Sequence, residues 1–311
     1  MTASTDLDRC SVSIGIPTFN RVRGLRRALA SVQAQDYRDL EIVISDNAST
    51  DETEAVCREQ SESDRRIRYI RLPSNRGATA NFRHTLESAR GELFMWLADD
   101  DWLDPSYVSR CAAILKSHPD HSLVAGADRY YENGQPTFDG TRLTLEQDSG
   151  SERLVSYFRQ VIRNGTFYGL MRRELLARVP FRHVLGGDWL TVGAMAFAGK
   201  VKTVDDVFVN RSLGGASRDW SALAAMYSLS EVWAENPGLT IAVNVFRDLM
   251  TSPVYAELGP AGRLALGGRA FWTVLHRHYS RRQIPGLAGT LVTRLPREWL
   301  GRRRAGGLRA D

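Results

Sequence analysis

Met95-Trp96-Leu97-Ala98-Asp99-Asp100-Asp101-Trp102-Leu103-Asp104-Pro105 is the stretch on which the reading of this 311-residue chain turns. An apolar run, Leu93 to Leu97, stops abruptly in three consecutive carboxylates, Asp99, Asp100 and Asp101. Adjacent acids repel one another, and a fold tolerates them best with a cation among them. An all-oxygen cluster suits a hard divalent ion, Mg2+ or Mn2+, and such ions also take phosphate oxygens as ligands. A strand ending in an acidic tip therefore points to a metal and a diphosphate. The same residues also suit a solvated turn or a helix start, where aspartate is favoured.

Working outward, the first 130 residues alternate between short β-branched runs and helix-length amphipathic segments. The runs are Val12–Ile16, Glu41–Ser45, Ile67–Arg71, Leu93–Leu97 and Leu123–Ala127. Helices are predicted between them at Gly24–Gln33, Asp51–Glu62, Ala78–Ala89 and Ser106–Ser117. Such alternation implies βαβ units, right-handed crossovers and a mostly parallel sheet flanked by helices. Ligands of such sheets sit beyond the carboxyl ends of the strands.

Four strand ends carry polar clusters. Pro17-Thr18-Phe19-Asn20-Arg21 follows the first and Asp46-Asn47-Ala48-Ser49-Thr50-Asp51 the second. Pro73-Ser74-Asn75-Arg76-Gly77 follows the third, and the aspartate tip the fourth. Each also has a purely local explanation. Thr50 or Asp51 is placed to cap the next helix with Glu54 completing a capping box, and Asn75 to Gly77 reads as a turn. Convergence of all four on one sheet edge favours a site.

From Asp128 to Pro180 the pattern is less regular. Glu132–Gly150, with Gly134, Pro136 and Gly140, reads as a loop or flap, Ser151–Arg163 as a helix and Phe167–Met171 as a short strand. Gly186-Gly187-Asp188 then opens an apolar helix, Trp189–Ala198. Asp188 is either its N-cap or a carboxylate held at the helix start and aimed at a substrate. Val201–Val204 and Val207–Asn210 read as two strands, and Ser221 onward as mainly helical.

Composition is that of a globular protein, with a net charge of +5. Cys10, Cys57 and Cys111 form neither a disulfide framework nor a zinc pattern, which suits a reducing compartment. Met1 to Cys10 lacks the apolar core of a secretory signal, and no apolar run approaches the ~20 residues of a membrane span. Charge is uneven: Arg277 to Asp311 holds nine arginines against Glu298 and Asp311. Interleaved with Ile284, Leu287, Leu291, Leu295, Trp299 and Leu300, this end suits either an anionic membrane surface or a packed helix with a solvated tail. Without an aromatic-basic stacking platform, no nucleic-acid partner is expected. None of the six histidines is paired as a metal ligand, and no P-loop occurs.

These motifs, in this order, resemble the family 2 glycosyltransferases of the GT-A fold, from Val12 to about Ser217. Ser13 to Arg21 looks like that family's opening strand and loop, and Ile42 to Asp51 like its second strand with the nucleotide-contacting aspartate. Asn75-Arg76-Gly77, followed by Asn81, is similar to its Asn-x-Gly element. Asp99 to Pro105 resembles its metal-binding motif, and Gly187-Asp188-Trp189 falls where the family has its catalytic base. Two departures stand out. Ala98 replaces an aspartate common at the tip, which leaves open whether Asp99 with Asp101, or Asp100 with its neighbour, holds the metal. Asn210-Arg211-Ser212-Leu213 replaces Tyr-Arg-x-His, so Arg211 or Arg218 becomes a candidate for the diphosphate.

The resemblance implies a GT-A nucleotide-diphospho-sugar transferase fold, with a catalytic domain over 1–220 and a helical C-terminal region over 221–311. It implies an inverting, metal-dependent transfer from a nucleotide-diphosphate sugar, most commonly of uridine, to a hydroxyl. The acceptor is a glycan, glycolipid or lipid-linked precursor of the cell envelope, on the cytoplasmic side with peripheral membrane contact. Asp188 would be the base. Pro17, Thr18, Asn20, Arg21, Asp46, Asn75, Gly77, Asp99 and Asp100 would contact the nucleotide, and Asp99, Asp100 and Asp101 would hold Mn2+ or Mg2+. Trp102 and Trp189 would be able to pack on sugar faces. A soluble small-molecule acceptor and a noncatalytic sugar-nucleotide scaffold are the alternatives. Oligomeric state is not encoded in these motifs.

Overall fold

The computed structural model describes residues 11–213, 220–279 and 283. Cys10, Arg218 and the basic segment from Ile284 to Asp311 lie outside the described residues. The chain runs β1 (Val12–Thr18), α1 (Val22–Gln33), β2 (Leu40–Asp46), α2 (Thr53–Ser63), β3 (Ile67–Arg71), α3 (Ala78–Ser88) and β4 (Leu93–Trp96). It continues with β5 (Trp102–Leu103), α4 (Tyr107–Ser117), β6 (His121–Glu132), β7 (Gln135–Asp139), β8 (Thr144–Leu145) and α5 (Gly150–Gln160). A 3-10 turn at Gly165–Tyr168 leads to β9 (Leu170–Arg172), α6 (Arg173–Leu176), α7 (Gly187–Ala198) and β10 (Lys200–Ser212). Helices α8 (Trp220–Met226), α9 (Glu231–Glu235), α10 (Pro237–Thr251) and α11 (Gly259–His278) follow.

The sheet has the order β3-β2-β1-β4-β9-β6-β10-β5. Its long ladders, among β3, β2, β1 and β4 and between β6 and β10, are parallel, whereas the antiparallel ones are short. Strand β9 runs antiparallel to both β4 and β6, so β6 and β10 point the same way as β1. The carboxyl ends of β1, β2, β4, β6 and β10 therefore share one edge.

Alternation along β4 sorts its side chains between two cores, as the two-residue strand period requires. Leu93, Met95 and Leu97 join β1 and the helices α1 and α4, whereas Phe94 and Trp96 join α5, α7, α10 and α11. Helix α1 buries Leu25, Ala28, Leu29 and Val32, the i, i+3, i+4, i+7 stripe of an amphipathic helix. The helices beyond residue 220 share their core with α5 and α7.

Several elements differ from the sequence reading. Glu132–Gly150 is no irregular flap. Asn133 and Gly134, both at positive φ, turn β6 back on β7 as a hairpin, and Leu143 and Leu145 are buried beyond it. The strand expected at Phe167 begins only at Leu170, and β10 is one strand whose register slips between Val204 and Phe208. Asp188 is not an N-cap: Gly186, in the left-handed region, caps α7, and Asp188 lies within its first turn. The capping box also fails to form. Asp51 instead accepts from the backbone N–H of both Thr53 and Val22, serving the starts of α2 and α1 together, while Glu54 pairs with Arg58 and Arg71.

Candidate active site

Register brings the expected residues together. Parallel pairing of β1 with β2 sets Pro17 beside Ser45 and Thr18 beside Asp46, and β4 on the other side of β1 delivers the acidic tip. Asn81 on α3 fastens these ends. Its amide donates to the carbonyls of Thr18 and Ser45 and accepts from the Ser45 hydroxyl at 2.6 Å. Asn20 and Ala48 both adopt positive φ, a cost that tends to collect at functional loops. Asn20 then accepts from Thr50 N at 2.7 Å, and its own N–H donates to Ser49 Oγ at 2.9 Å.

The three aspartates occupy different surroundings. Asp99 is buried and accepts from the Thr18 hydroxyl at 2.8 Å, with Arg21 3.7 Å away. Asp100 is the more open, and Arg21 Nη1 donates to it at 2.5 Å. Asp101 is buried against Arg211 Nε at 3.1 Å and the Ser212 N–H at 3.2 Å. Burial pushes the Asp99 carboxyl up to about 7, although Thr18 and Arg21 pull it down. Burial likewise lifts Asp101 to about 6, outweighing Arg211. Arg27, which the sequence reading passed over, grips the tip by donating to the Asp100 carbonyl at 2.6 Å and to Ser212 Oγ at 2.8 Å. Gly24 on α1 permits this approach, since a Cβ there would lie 2.5 Å from the Asp99 carbonyl.

Two arginines thus supply part of the counter-charge that the triplet alone seemed to demand of a metal. Among the described residues no three histidine, cysteine, aspartate or glutamate side chains converge on one metal position. The oxygen-only donor set still fits Mg2+ or Mn2+. Mg2+ in particular keeps several waters and is bound through one or two carboxylates plus substrate phosphates. Asp100, with Asp99 behind it, is the pair free enough to serve.

Asp46 is fully buried and committed to the loop itself. It accepts from Ser49 N, from Tyr69 Oη at 2.8 Å and from Arg71 Nη1 at 3.0 Å. Asn47, one residue on, donates to Asn75 Oδ1 at 2.8 Å and accepts from Arg76 N at 2.8 Å, which welds the second and third strand ends. Asn75 also caps Gly77 N, and Gly77 holds a positive φ of 82° before α3.

Asp188 lies half-buried in the cleft and accepts from Asn164 Nδ2 at 3.0 Å. Asn164 is held in turn by the buried Tyr157 hydroxyl, 3.0 Å from its Oδ1. Burial raises the Asp188 carboxyl above its ordinary range, against the pull of the Asn164 amide. Nothing in the sequence marked Tyr157 or Asn164. Arg211, bound to Asp101, is also within electrostatic range of Asp188, and Tyr168 lies near both carboxylates. Arg211 stacks over Tyr168 at 4.7 Å and donates to Tyr130 Oη at 2.9 Å. The Asp101 carboxylate favours its cationic form against the effect of burial. The two tryptophans considered for sugar stacking already have protein partners: Arg27 lies 3.8 Å over Trp102, and His278 is 6.1 Å from Trp189.

Chemically, such a cleft can seat an anion of high charge among Arg21 and Arg211 and accept a proton at Asp188. Residues 13–179 match the signature described as Glycosyl transferase family 2. A Campylobacter jejuni GalNAc(5)-diNAcBac-PP-undecaprenol beta-1,3-glucosyltransferase is 31% identical over 186 residues, 58% of this chain and 58% of its own length. An uncharacterised glycosyltransferase of Nostoc is 30% identical over 69% of this chain and 68% of its own. Two solved structures share the fold. The mannosyltransferase PcManGT of Pyrobaculum calidifontis, in complex with GDP-Man and Mn2+, superposes with a TM-score of 0.55 at 18% identity, covering 94% of this chain and 83% of its own. S. aureus TarS 1-349 in complex with UDP-GlcNAc gives 0.55 at 17% identity, covering 85% and 81%.

Proposed function

The chain belongs to glycosyl transferase family 2 and is a glycosyltransferase of GT-A fold, and on that premise we propose an inverting, metal-assisted transfer with Asp188 as its base. The donor is a nucleotide-diphosphate sugar, with uridine as the base we expect. The acceptor is a hydroxyl of a glycan or lipid-linked precursor. The supporting observation is that Asp188, with its carboxyl raised and aimed by Asn164, shares Arg211 and Tyr168 with the acidic tip.

The donor's nucleoside lies against Pro17, Thr18 and Asn20 on one side and Asn75 and Gly77 on the other. Asp46 shapes that pocket through Tyr69, Arg71 and Ser49, with one acceptor position of Oδ1 left for the nucleotide. Arg21 swings from Asp100 to the diphosphate, which its exposed guanidinium is able to do. A divalent cation held by Asp100, with Asp99, would add Lewis-acid stabilisation of the leaving diphosphate. The acceptor oxygen attacks the anomeric carbon from the face opposite the diphosphate and gives its proton to Asp188. The C–O bond to the diphosphate breaks as the new one forms, which inverts the configuration. A carboxylate is a sufficient base because the hydroxyl acidifies as its bond to carbon develops.

The named substrate of the Campylobacter relative supports a polyprenyl-diphosphate-linked glycan as acceptor class. Among the described residues no helix is long and apolar enough to cross a membrane, and we propose peripheral contact with the cytoplasmic face of the plasma membrane. The test is calorimetric titration with UDP, GDP, TDP and CMP, with and without Mn2+. One diphosphate binding selectively, and more tightly with Mn2+, is the expected result. Absence of binding by all four would overturn the donor assignment in favour of a noncatalytic scaffold.

A further inference from the structure

Helices α5 and α11 lie side by side and point the same way. Arg269, midway along α11, pairs with Glu152 near the start of α5 at 2.8 Å, and Arg277 near the end of α11 donates to the Arg159 carbonyl at 2.8 Å. Their C-terminal ends thus form one surface, with a groove of about 420 Å³ lined by Arg159, Trp272, Thr273, His276 and Arg277. The large apolar side chains here face solvent. Trp272 is 49% exposed, and Ile162, just past α5, is 70% exposed. Helix α11 buries the opposite side, Leu266, Ala270, Val274 and Leu275.

Among the described residues the charged side chains lining the groove are Arg159 and Arg277, with no acid between Arg153 and Arg173 or between Leu258 and Tyr279; the one acid nearby, Glu152, is paired with Arg269. Arg277 is spent on the carbonyls that end α5, which cancels the negative end of that helix dipole and leaves Arg159 outward. The surface lies close to Asp188 in the chain, for Asn164, which donates to Asp188 at 3.0 Å, follows Ile162 by two residues.

We propose that this shared end of α5 and α11, with Trp272, Ile162 and Arg159 at its centre, docks on an anionic phospholipid surface. Tryptophan favours the membrane-water interface, and arginines around it are attracted to anionic headgroups. The inference deepens the proposed function by naming the surface that meets the membrane, and its assay does not depend on sugar transfer.

The full chain is co-sedimented with phosphatidylcholine vesicles containing or lacking phosphatidylglycerol. Wild type should partition onto the anionic vesicles only. Trp272→Ala combined with Arg159→Glu should lower that partitioning by about tenfold or more, given roughly fivefold per basic residue at such a surface. Circular dichroism and nucleotide binding should stay unchanged. Equal partitioning of the variant would overturn the proposal, and so would equal binding of wild type to uncharged vesicles. Arg302→Ser, Arg303→Ser and Arg304→Ser together, in an otherwise intact chain, test the tail; loss that follows this change alone also overturns it. A protein that binds vesicles yet ignores all four nucleotides would sink the donor assignment and leave the docking surface standing.

Discussion

Asn164→Ala removes one hydrogen bond from the proposed base, and the structure gives the size of the effect. The Asn164 amide donates to Asp188 Oδ2 at 3.0 Å, and Tyr157 fixes its other end. A hydrogen bond to a charged group contributes about 1.5–3 kcal/mol, which at about 1.36 kcal/mol per pH unit is roughly one to two units. Burial already lifts the Asp188 carboxyl, and the amide holds it down. Without the amide the carboxyl rises further, so less of it is ionised below its pKa. As base it must be ionised, and kcat/KM therefore climbs with pH through that value. The acid limb of the profile should move up by about one to two units in Asn164→Ala. Asn164→Asp should move it at least as far, because a second carboxylate at this distance opposes ionisation. The other groups facing Asp188, namely Tyr157, Tyr168, Tyr227 and Arg211, are common to both proteins, so the shift isolates the amide. Donor KM should stay level. A lower rate with an unmoved limb would mean that Asn164 merely supports the fold, and an unaltered profile would remove it from the mechanism.

Asp188→Asn should keep donor affinity, measured by calorimetry, while transfer drops by about two to four orders of magnitude. Asp99→Asn with Asp100→Asn should abolish the Mn2+ enhancement of nucleotide binding; undiminished enhancement would place the metal elsewhere. Arg211→Met strands Asp101 as a buried acid and should cost about 3 kcal/mol in chemical denaturation, the low end for breaking such a pair because Arg211 retains some solvent. A Cβ on Gly140 would sit 2.1 Å from Asp128 Oδ2, so Gly140→Ala should destabilise by about 1–3 kcal/mol, and adding Asp128→Ala should restore much of that. Equal instability of the single and double variants would show that the clash is not with Asp128.

The half of the fold from β1 to β4 was legible because its signals are local. Each strand from β1 to β4 is a short apolar run bounded by turn residues, and each intervening helix carries one apolar stripe. The edge that gathers Thr18, Asn75 and the aspartates followed from the parallel arrangement alone. The region from Glu132 to Leu145 was misread although its sequence held the signal, since Asn133-Gly134 is the dipeptide a two-residue hairpin prefers. The Glu54 capping box failed for a different reason. Arg71, distant in sequence, takes the Glu54 carboxylate, and Val22 shares Asp51. A tertiary partner outcompeted the local motif, and no window along the chain reveals that.

The same logic governs the charges of the site. From sequence, three consecutive acids called for a cation, and the cations that the fold supplies come from the end of β1, from α1 and from the end of β10. Arg21 meets Asp100, Arg27 grips the backbone of the tip, and Arg211 meets Asp101. Arg211 comes from the motif in which Leu213 stands where a histidine is common. Because Asp101 and the rings of Tyr130 and Tyr168 hold Arg211 in place, it is poorly able to follow a diphosphate. Arg21, exposed and tied only to carboxylates at the cleft, is free to do so. Placing a nucleotide diphosphate at the tip should therefore break the Arg21–Asp100 pair and spare Arg211–Asp101. Arg21→Ala should weaken nucleotide binding chiefly in the diphosphate and not in the nucleoside, so that UDP loses affinity while uridine does not. Equal losses for both would assign Arg21 to the loop and reopen Arg211 as the diphosphate ligand.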